Sequence, residues 1–243
     1  INFLLNFEPE GQVAEFRAQR GPSANAMAFR VHDAGHAFAE AVRRGAEPVA
    51  GKVGPMELNI PAIRGIGGAN LYLVDRYGAA EIYDIDFRPV PGAAKADRAV
   101  GLHTLDHLTH NVARGDMARW ADFYERIFGF REIRYFDIKG RATGLFSKAM
   151  TAPDDKIRIP LNESQDEHSQ IAEFLRAYNG EGIQHIALAT DDIFATVDQL
   201  KANGIRFQDT PDTYYEMLDQ RLPGHGHDVE AMRARRILID GAP

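Results

Sequence analysis

Ala26-Met27-Ala28-Phe29-Arg30-Val31-His32-Asp33 and His185-Ile186-Ala187-Leu188-Ala189-Thr190-Asp191-Asp192 superimpose without a gap, and that repeat decides the fold. Each is a strand-like run that ends on an acidic residue suited to cap a helix N-terminus. Helical patterns follow directly, Ala34 to Arg44 and Ile193 to Asn203, with apolar residues three or four apart that make one buried stripe. Each pattern stops at a glycine, Gly45 or Gly204, where a positive φ is easiest for that residue. Strand-like runs come next, Glu47-Pro48-Val49 and Ile205-Arg206-Phe207.

A third copy begins at Asp106. His107 to Val112 alternates as a strand, and Asp116 is placed to cap a helix from Met117 to Phe128. Gly129 ends that helix, and Phe130 to Phe136 reads as the next strand. Further strands are expected at Asn70–Val74 and Ile82–Phe87, and further helices after Ser169 (Gln170–Tyr178) and Asp228 (Val229–Arg235). Strands outnumber helices, so the class is α+β and not alternating parallel α/β.

Pro89 to Asp97 has the composition of a linker. It divides an N-terminal domain, residues 1–95, from a C-terminal domain, residues 96–243. Ile1 to Asn6 reads as a strand already under way, and Arg236 to Pro243 as the start of another element. The chain is therefore expected to be trimmed at both ends.

Composition narrows the function. The 243 residues are 44% hydrophobic and 26% charged, with a net charge of −7, which argues against nucleic acid and anionic membranes as partners. The sequence has no cysteine, so any metal would be held by His, Asp or Glu. No segment approaches the roughly 20 apolar residues of a membrane span. A cytoplasmic protein is the default expectation.

Of the nine histidines, most need no special role. His32, His36 and His168 fall in turns or on exposed helix faces, and His225 and His227 flank Gly226 in a solvated turn. His107 and His185 differ, because each stands in an early strand of a module. Alternation along a strand puts His107 on one face with Leu105, Thr109 and Asn111 and turns His110 to the other. The metal-ligating pair is then His107 with His185, not His107 with His110; the alternative is two satisfied core histidines. Ala26 occupies the place of His185 in the first copy, as expected of a duplicated fold with one working and one scaffolding half. Two imidazoles with one carboxylate make the facial triad of non-haem iron(II) enzymes. By equal spacing of about eighty residues, that carboxylate would fall beyond Pro243.

The two histidine segments, Asp106–Val112 and Gly180–Ala187, resemble the metal-binding motifs of the 4-hydroxyphenylpyruvate dioxygenase family. Gly65–Gly68, Tyr135–Gly140, Ser147–Met150, Ile159–Glu163 and Asp212–Leu218 match further motifs, in the family's order over nearly the whole chain. The resemblance implies the vicinal-oxygen-chelate fold of paired βαβββ modules, with curved mixed sheets and helices outside. It also implies Fe(II) held by His107, His185 and a glutamate. The substrate's own 2-oxo acid would chelate the metal. Decarboxylation and ring hydroxylation, with migration of the acetate side chain, would yield homogentisate and CO₂, a step of tyrosine and phenylalanine catabolism. Ser147, Asn162, Gln170 and Gln184 match substrate-cavity positions, although alternation turns Gln184 away from the face of His185. Without the glutamate, this chain is expected to bind iron weakly and to be inactive. The family is typically dimeric or tetrameric. Rival readings are 4-hydroxymandelate synthase, a metal-free small-aromatic binding module of the same fold, and a glyoxalase-type isomerase.

Overall fold

The structure is a computed structural model that describes residues 1–51, 58–79, 81–88, 90–92, 99–139 and 144–239. The expected linker, Pro89 to Asp97, lies for the most part outside these residues, as does the end of the chain from Asp240.

The elements run in chain order as α1 (Gly11–Arg20), β1 (Ala26–Arg30), α2 (Ala34–Arg43), β2 (Ala62–Arg64), β3 (Asn70–Val74) and α3 (Tyr83–Asp86). They continue as β4 (Leu102–Val112), α4 (Met117–Phe128), β5 (Arg131–Lys139), β6 (Gly144–Thr151), β7 (Arg158–Ser164), α5 (Gln170–Ala177) and β8 (Gly182–Thr190). Four helices follow: α6 (Ile193–Ala202), α7 (Asp212–Glu216), α8 (Leu218–Arg221) and α9 (Val229–Arg235). The fold is α+β with two mixed sheets. One has the order β1-β3-β2, the other β5-β6-β7-β4-β8. Within them β1 and β3, and β4 and β7, are parallel, whereas β2/β3, β5/β6 and β6/β7 are antiparallel.

By packing, Ile1–Ala93 and Leu105–Ala187 form one compact unit, and Ala94–Thr104 and Leu188–Pro243 a second. This grouping follows contacts and not chain order, so it is a different partition from a sequential boundary at residue 95. In the second unit, Tyr215, Leu218 and Met232 from α7, α8 and α9 make a small core of their own. There the His225 ring is tucked against Asp219 (2.9 Å, side chain 7% exposed), so only His227 of that pair is in a solvated position.

The repeat forms for the reasons its residues suggest. Asp33 accepts from the His36 amide at 2.8 Å, and Asp192 from the Ala195 amide at 2.9 Å. Gly45 and Gly204 then take φ of 91° and 87° at the matching helix ends. Ser169 and Asp228 cap their helices in the same way, through Ala172 N and Ala231 N.

Several expectations are corrected. Asp116 makes no side-chain cap on α4; instead Glu163 on β7 accepts from the Met117 amide at 3.0 Å. Glu181 supports the same helix end through Ala113 N at 2.9 Å and Trp120 Nε1 at 3.0 Å. Carboxylates from two distant segments thus occupy the positive end of the helix. Ile82–Phe87 is not a strand but encloses α3, because Tyr83 and Phe87 pair their rings at 5.0 Å with helical spacing. Its Asp84 and Asp86 accept from the amides of Glu81 and Leu58. Ile1–Asn6 forms no strand, and Ile1, Phe3, Leu4 and Leu5 are exposed. Glu47–Val49 contributes one isolated bridge, Pro48 to Ile63, and Ile205–Phe207 none.

Strand β4 divides the main unit into an apolar core face and an opposite polar face that is open only at its His107 end, since Thr109 and Asn111 are themselves buried. Leu108, His110 and Val112 are buried with Met150, Ile159 and Leu161 against Met117, Trp120, Tyr124 and Ile127 of α4. Phe29 of β1 joins that core, 4.7 Å from the Phe128 ring. His110, fully buried, is bonded to the Tyr124 hydroxyl at 2.7 Å. It is a structural histidine, pushed down to about 3 by burial.

The Arg20 guanidinium closes the far side of this unit. It donates to the carbonyls of Tyr178 (3.3 Å), Asn179 (3.1 Å), Glu181 (3.3 Å) and Gly67 (2.8 Å), and lies over the Phe16 and Tyr178 rings. One cation thereby serves the carbonyls at the end of α5 and fixes the chain where it enters β8. Gly67 makes the close approach possible: its φ is 59°, and a Cβ there would lie 2.0 Å from the Glu181 carbonyl oxygen.

Gly67→Ala is therefore expected to cost on the order of 2–4 kcal/mol, because backbone must move to admit the methyl group. A urea melt of wild type and variant measures it, and a change under about 0.5 kcal/mol would show the contact to be soft. His110 sets an acid limit. The unfolded histidine titrates near its ordinary value of about 6.5 and the folded one far lower. The unfolded state therefore binds the extra proton first, and stability is lost as pH falls from about 6.5 toward 3, by up to about 1.4 kcal/mol per pH unit from this group. His110→Gln should flatten that slope in paired denaturant melts at neutral and acidic pH.

Candidate metal-binding site

The open face of β4 carries His107, Thr109 and Asn111, with β8 as the neighbouring strand. His107 and His185 meet there. Their rings are 5.3 Å apart between centroids and cross at 76°, with the two Nε2 atoms 3.2 Å from one another. Thr109 Oγ1 lies 3.0 Å from His185 Nε2, so Thr109 does share the face of His107.

Each ring has its other nitrogen occupied. His107 Nδ1 is 2.7 Å from Asp106 Oδ2, and a carboxylate can only accept, so Nδ1 carries a proton and, in the neutral ring, Nε2 a lone pair. His185 Nδ1 contacts Gln184 Oε1, which assigns it the same tautomer. Alternation had turned Gln184 away from this face; the side chain bends back to its neighbour's ring instead. Burial first, and the adjacent His107 second, hold His185 below the ordinary histidine value, which favours the neutral ligand form.

At 3.2 Å the two Nε2 atoms suit a shared proton or a cation between them, and the Thr109 hydroxyl can donate to His185 Nε2 at 3.0 Å. Two nitrogens on one ion, each about 2.1 Å from it and at right angles, stand about 3.0 Å apart. The observed spacing is thus that of adjacent ligands, and the donor set fits a divalent metal. Among the described residues no third His, Cys, Asp or Glu joins this pair.

The other expected residues divide into two groups. Ser147 on β6 is in register with Asn162 on β7, and Asn162 with Asn111 on β4, so the three form one polar row across the open face. At the strand rise of about 3.3 Å per residue, that row lies about 13 Å along β4 from His107. Asn111, 3% exposed, has its Oδ1 buried with no hydrogen-bond partner among the described residues. Gln170, by contrast, is exposed in the first turn of α5 and makes no side-chain hydrogen bond among them.

Asp106 and Arg158 were given no role by sequence, and Thr109 and Asn111 only a place on the face of His107. Asp106, Thr109 and Asn111 stand inside the quoted histidine motif, where position relative to His107 was a usable signal. Arg158 was invisible, since only the β4–β7 register places it beside His107.

Comparisons with known proteins place the chain in a family. Residues 1–88 match the family described as hydroxyphenylpyruvate dioxygenase, N-terminal, and residues 104–218 the glyoxalase/bleomycin resistance protein/dioxygenase superfamily. The chain is 60% identical to a 4-hydroxyphenylpyruvate dioxygenase of Pseudomonas aeruginosa, over all of this chain and 68% of that protein. It is equally close, at 60%, to a Vibrio vulnificus protein named hemolysin VllY, over all of this chain and 69% of the relative. Among solved structures, a triple mutant of 4-hydroxymandelate synthase from Streptomyces coelicolor superimposes with a TM-score of 0.77 at 26% identity. That match covers 94% of this chain and 66% of the synthase. By identity and coverage, the chain belongs to the 4-hydroxyphenylpyruvate dioxygenase family.

Proposed function

We propose that this chain supplies His107 and His185 as two of three protein ligands to Fe(II) in a non-haem dioxygenase that converts 4-hydroxyphenylpyruvate and O₂ to homogentisate and CO₂. The observation that carries the proposal is the 3.2 Å approach of the two Nε2 atoms on an open sheet face. Two neutral imidazoles with a carboxylate, and no thiolate, form a donor set suited to Fe(II). The bound metal would supply a Lewis acid for the 2-oxo acid and an open position for O₂.

The protein's own part is to hold and orient. His107 and His185 would hold the ion through their Nε2 atoms. The Arg20 clamp fixes the entry to β8, and with it the height of His185 on the sheet. Ser147 and Asn162 are proposed to meet the polar end of the substrate remote from the metal. Their place in one row with the unsatisfied Asn111 oxygen supports this, since a buried acceptor of that kind calls for a donor. Gln184 is proposed to act through His185, and Gln170 from the start of α5. The division into a non-catalytic domain 1–95 and an iron-binding domain 96–243 belongs to the same proposal. So do a homodimeric or homotetrameric assembly, a cytoplasmic setting and a role in tyrosine and phenylalanine catabolism. Among the described residues no helix is long and apolar enough to cross a membrane.

The second reading is 4-hydroxymandelate synthase, favoured by the structural likeness at a TM-score of 0.77. Relatives at 57–60% identity that carry the dioxygenase name favour the first.

Anaerobic titration of the chain with Fe(II) is expected to show one site, and His107→Ala or His185→Ala should each weaken it by roughly a hundredfold or more. Unchanged affinity in both variants would exclude the site. Product analysis of the natural protein carrying this chain should give homogentisate; hydroxymandelate would establish the second reading. Ser147→Ala and Asn162→Ala should raise KM more than they lower kcat, by about tenfold for the loss of one hydrogen bond of roughly 1.4 kcal/mol.

A further inference from the structure

The two histidines that meet on the open face are not held alike. His185 has a neutral partner at Nδ1, the amide oxygen of Gln184. His107 has an anionic one, because Asp106 Oδ2 accepts from its Nδ1 at 2.7 Å. The other carboxylate oxygen, Asp106 Oδ1, is bonded by Arg158 Nη1 at 2.8 Å. Arg158 is the register partner of His107 on the parallel strand β7, so the sheet itself brings the guanidinium to this carboxylate. Both oxygens of Asp106 are thereby committed, one to a cation and one to the ring.

We infer that Asp106, oriented by Arg158, is a positioning residue that fixes His107 as its Nδ1–H tautomer and keeps the Nε2 lone pair directed at His185. This rests on the metal reading above. A histidine side chain free of partners prefers the opposite tautomer, with the proton on Nε2, and that form cannot ligate through Nε2. An acceptor at Nδ1 reverses the preference, and a charged acceptor also draws the Nδ1 proton and makes Nε2 a stronger donor. His107 is then the more electron-rich of the two ligands. Arg158 gives the carboxylate one orientation, since a lone, partly exposed Asp side chain would exchange between rotamers. The Asp106 and Arg158 side chains are 38% and 46% exposed, so solvent screens the pair and its effect is expected to be modest.

The variants are Asp106→Ala, Asp106→Asn and Arg158→Gln, made in the chain as it stands. The readouts are the ¹⁵N shifts of the His107 ring at a pH where it is neutral, Co(II) affinity by titration, and the thermal midpoint of the metal-free protein. Wild type is expected to show the Nδ1–H tautomer. Asp106→Ala should move His107 toward Nε2–H and weaken Co(II) binding by roughly tenfold or more, with the midpoint within a few degrees. Asp106→Asn keeps an acceptor without the charge, so it should retain the tautomer and lose less affinity. Arg158→Gln should give a smaller loss than Asp106→Ala. The inference is overturned if Asp106→Ala leaves the tautomer unchanged, whatever happens to affinity. Should wild type bind no Co(II) while the tautomer responds as stated, the metal reading fails and the positioning role of Asp106 stands.

Discussion

The two-residue alternation of β4 is the constraint on which the molecule depends. One strand places Leu108, His110 and Val112 into the core and Thr109 and Asn111 on the opposite face beside His107. The burial of the first set against α4 therefore fixes the direction of the second. A slip of one residue would put His110 on the open face and His107 into the core. Such a slip would take well-packed apolar side chains away from α4 and set Thr109 and Asn111 against it. The hydrophobic effect, acting on residues with no chemistry, holds the geometry of the two histidines in register.

A second constraint acts from outside the sheet. Glu163 and Glu181 hold the N-terminus of α4, while Arg20 gathers the carbonyls through which the chain passes from α5 into β8. Glu181 takes part in both, its carboxylate toward α4 and its backbone carbonyl toward Arg20. The same few residues thus fix the α4 packing that orients β4 and the entry point of the strand that bears His185. Gly67 is the price of that closeness, since only a residue without a Cβ lets its own segment approach the Glu181 carbonyl.

The site is built in layers of increasing polarity. The imidazole pair lies at one end of the open face, and the Ser147–Asn162–Asn111 row about 13 Å along β4. Thr109 lies between them, against the ring of His185. A ligand with a metal-seeking end and a polar far end matches this spacing in kind. The anionic support of His107 by Asp106 and the neutral support of His185 by Gln184 make the two histidines chemically unequal.

The sequence by itself determined what is local and periodic. Helix ends at Asp33, Gly45, Asp192 and Gly204, the strand parity that joins His107 to Thr109, and the α+β class all follow from residues a few positions apart, whose caps, φ preferences and alternation need no distant partner. Where a segment's fate depended on a remote neighbour, the reading failed. Ile82–Phe87 alternates like a strand, yet its carboxylates and ring pair hold a helical turn instead. Asp116 had the composition of a cap, yet Glu163 arrived from another strand to take the amide. Only the tertiary structure decided that Arg158 reaches Asp106, that Asn111 lines up with Asn162 and Ser147, and that Gln184 bends back to His185. Each of these depends on the register between strands or on a rotamer, and those are set by core packing across the sheet and not by any spacing along the chain.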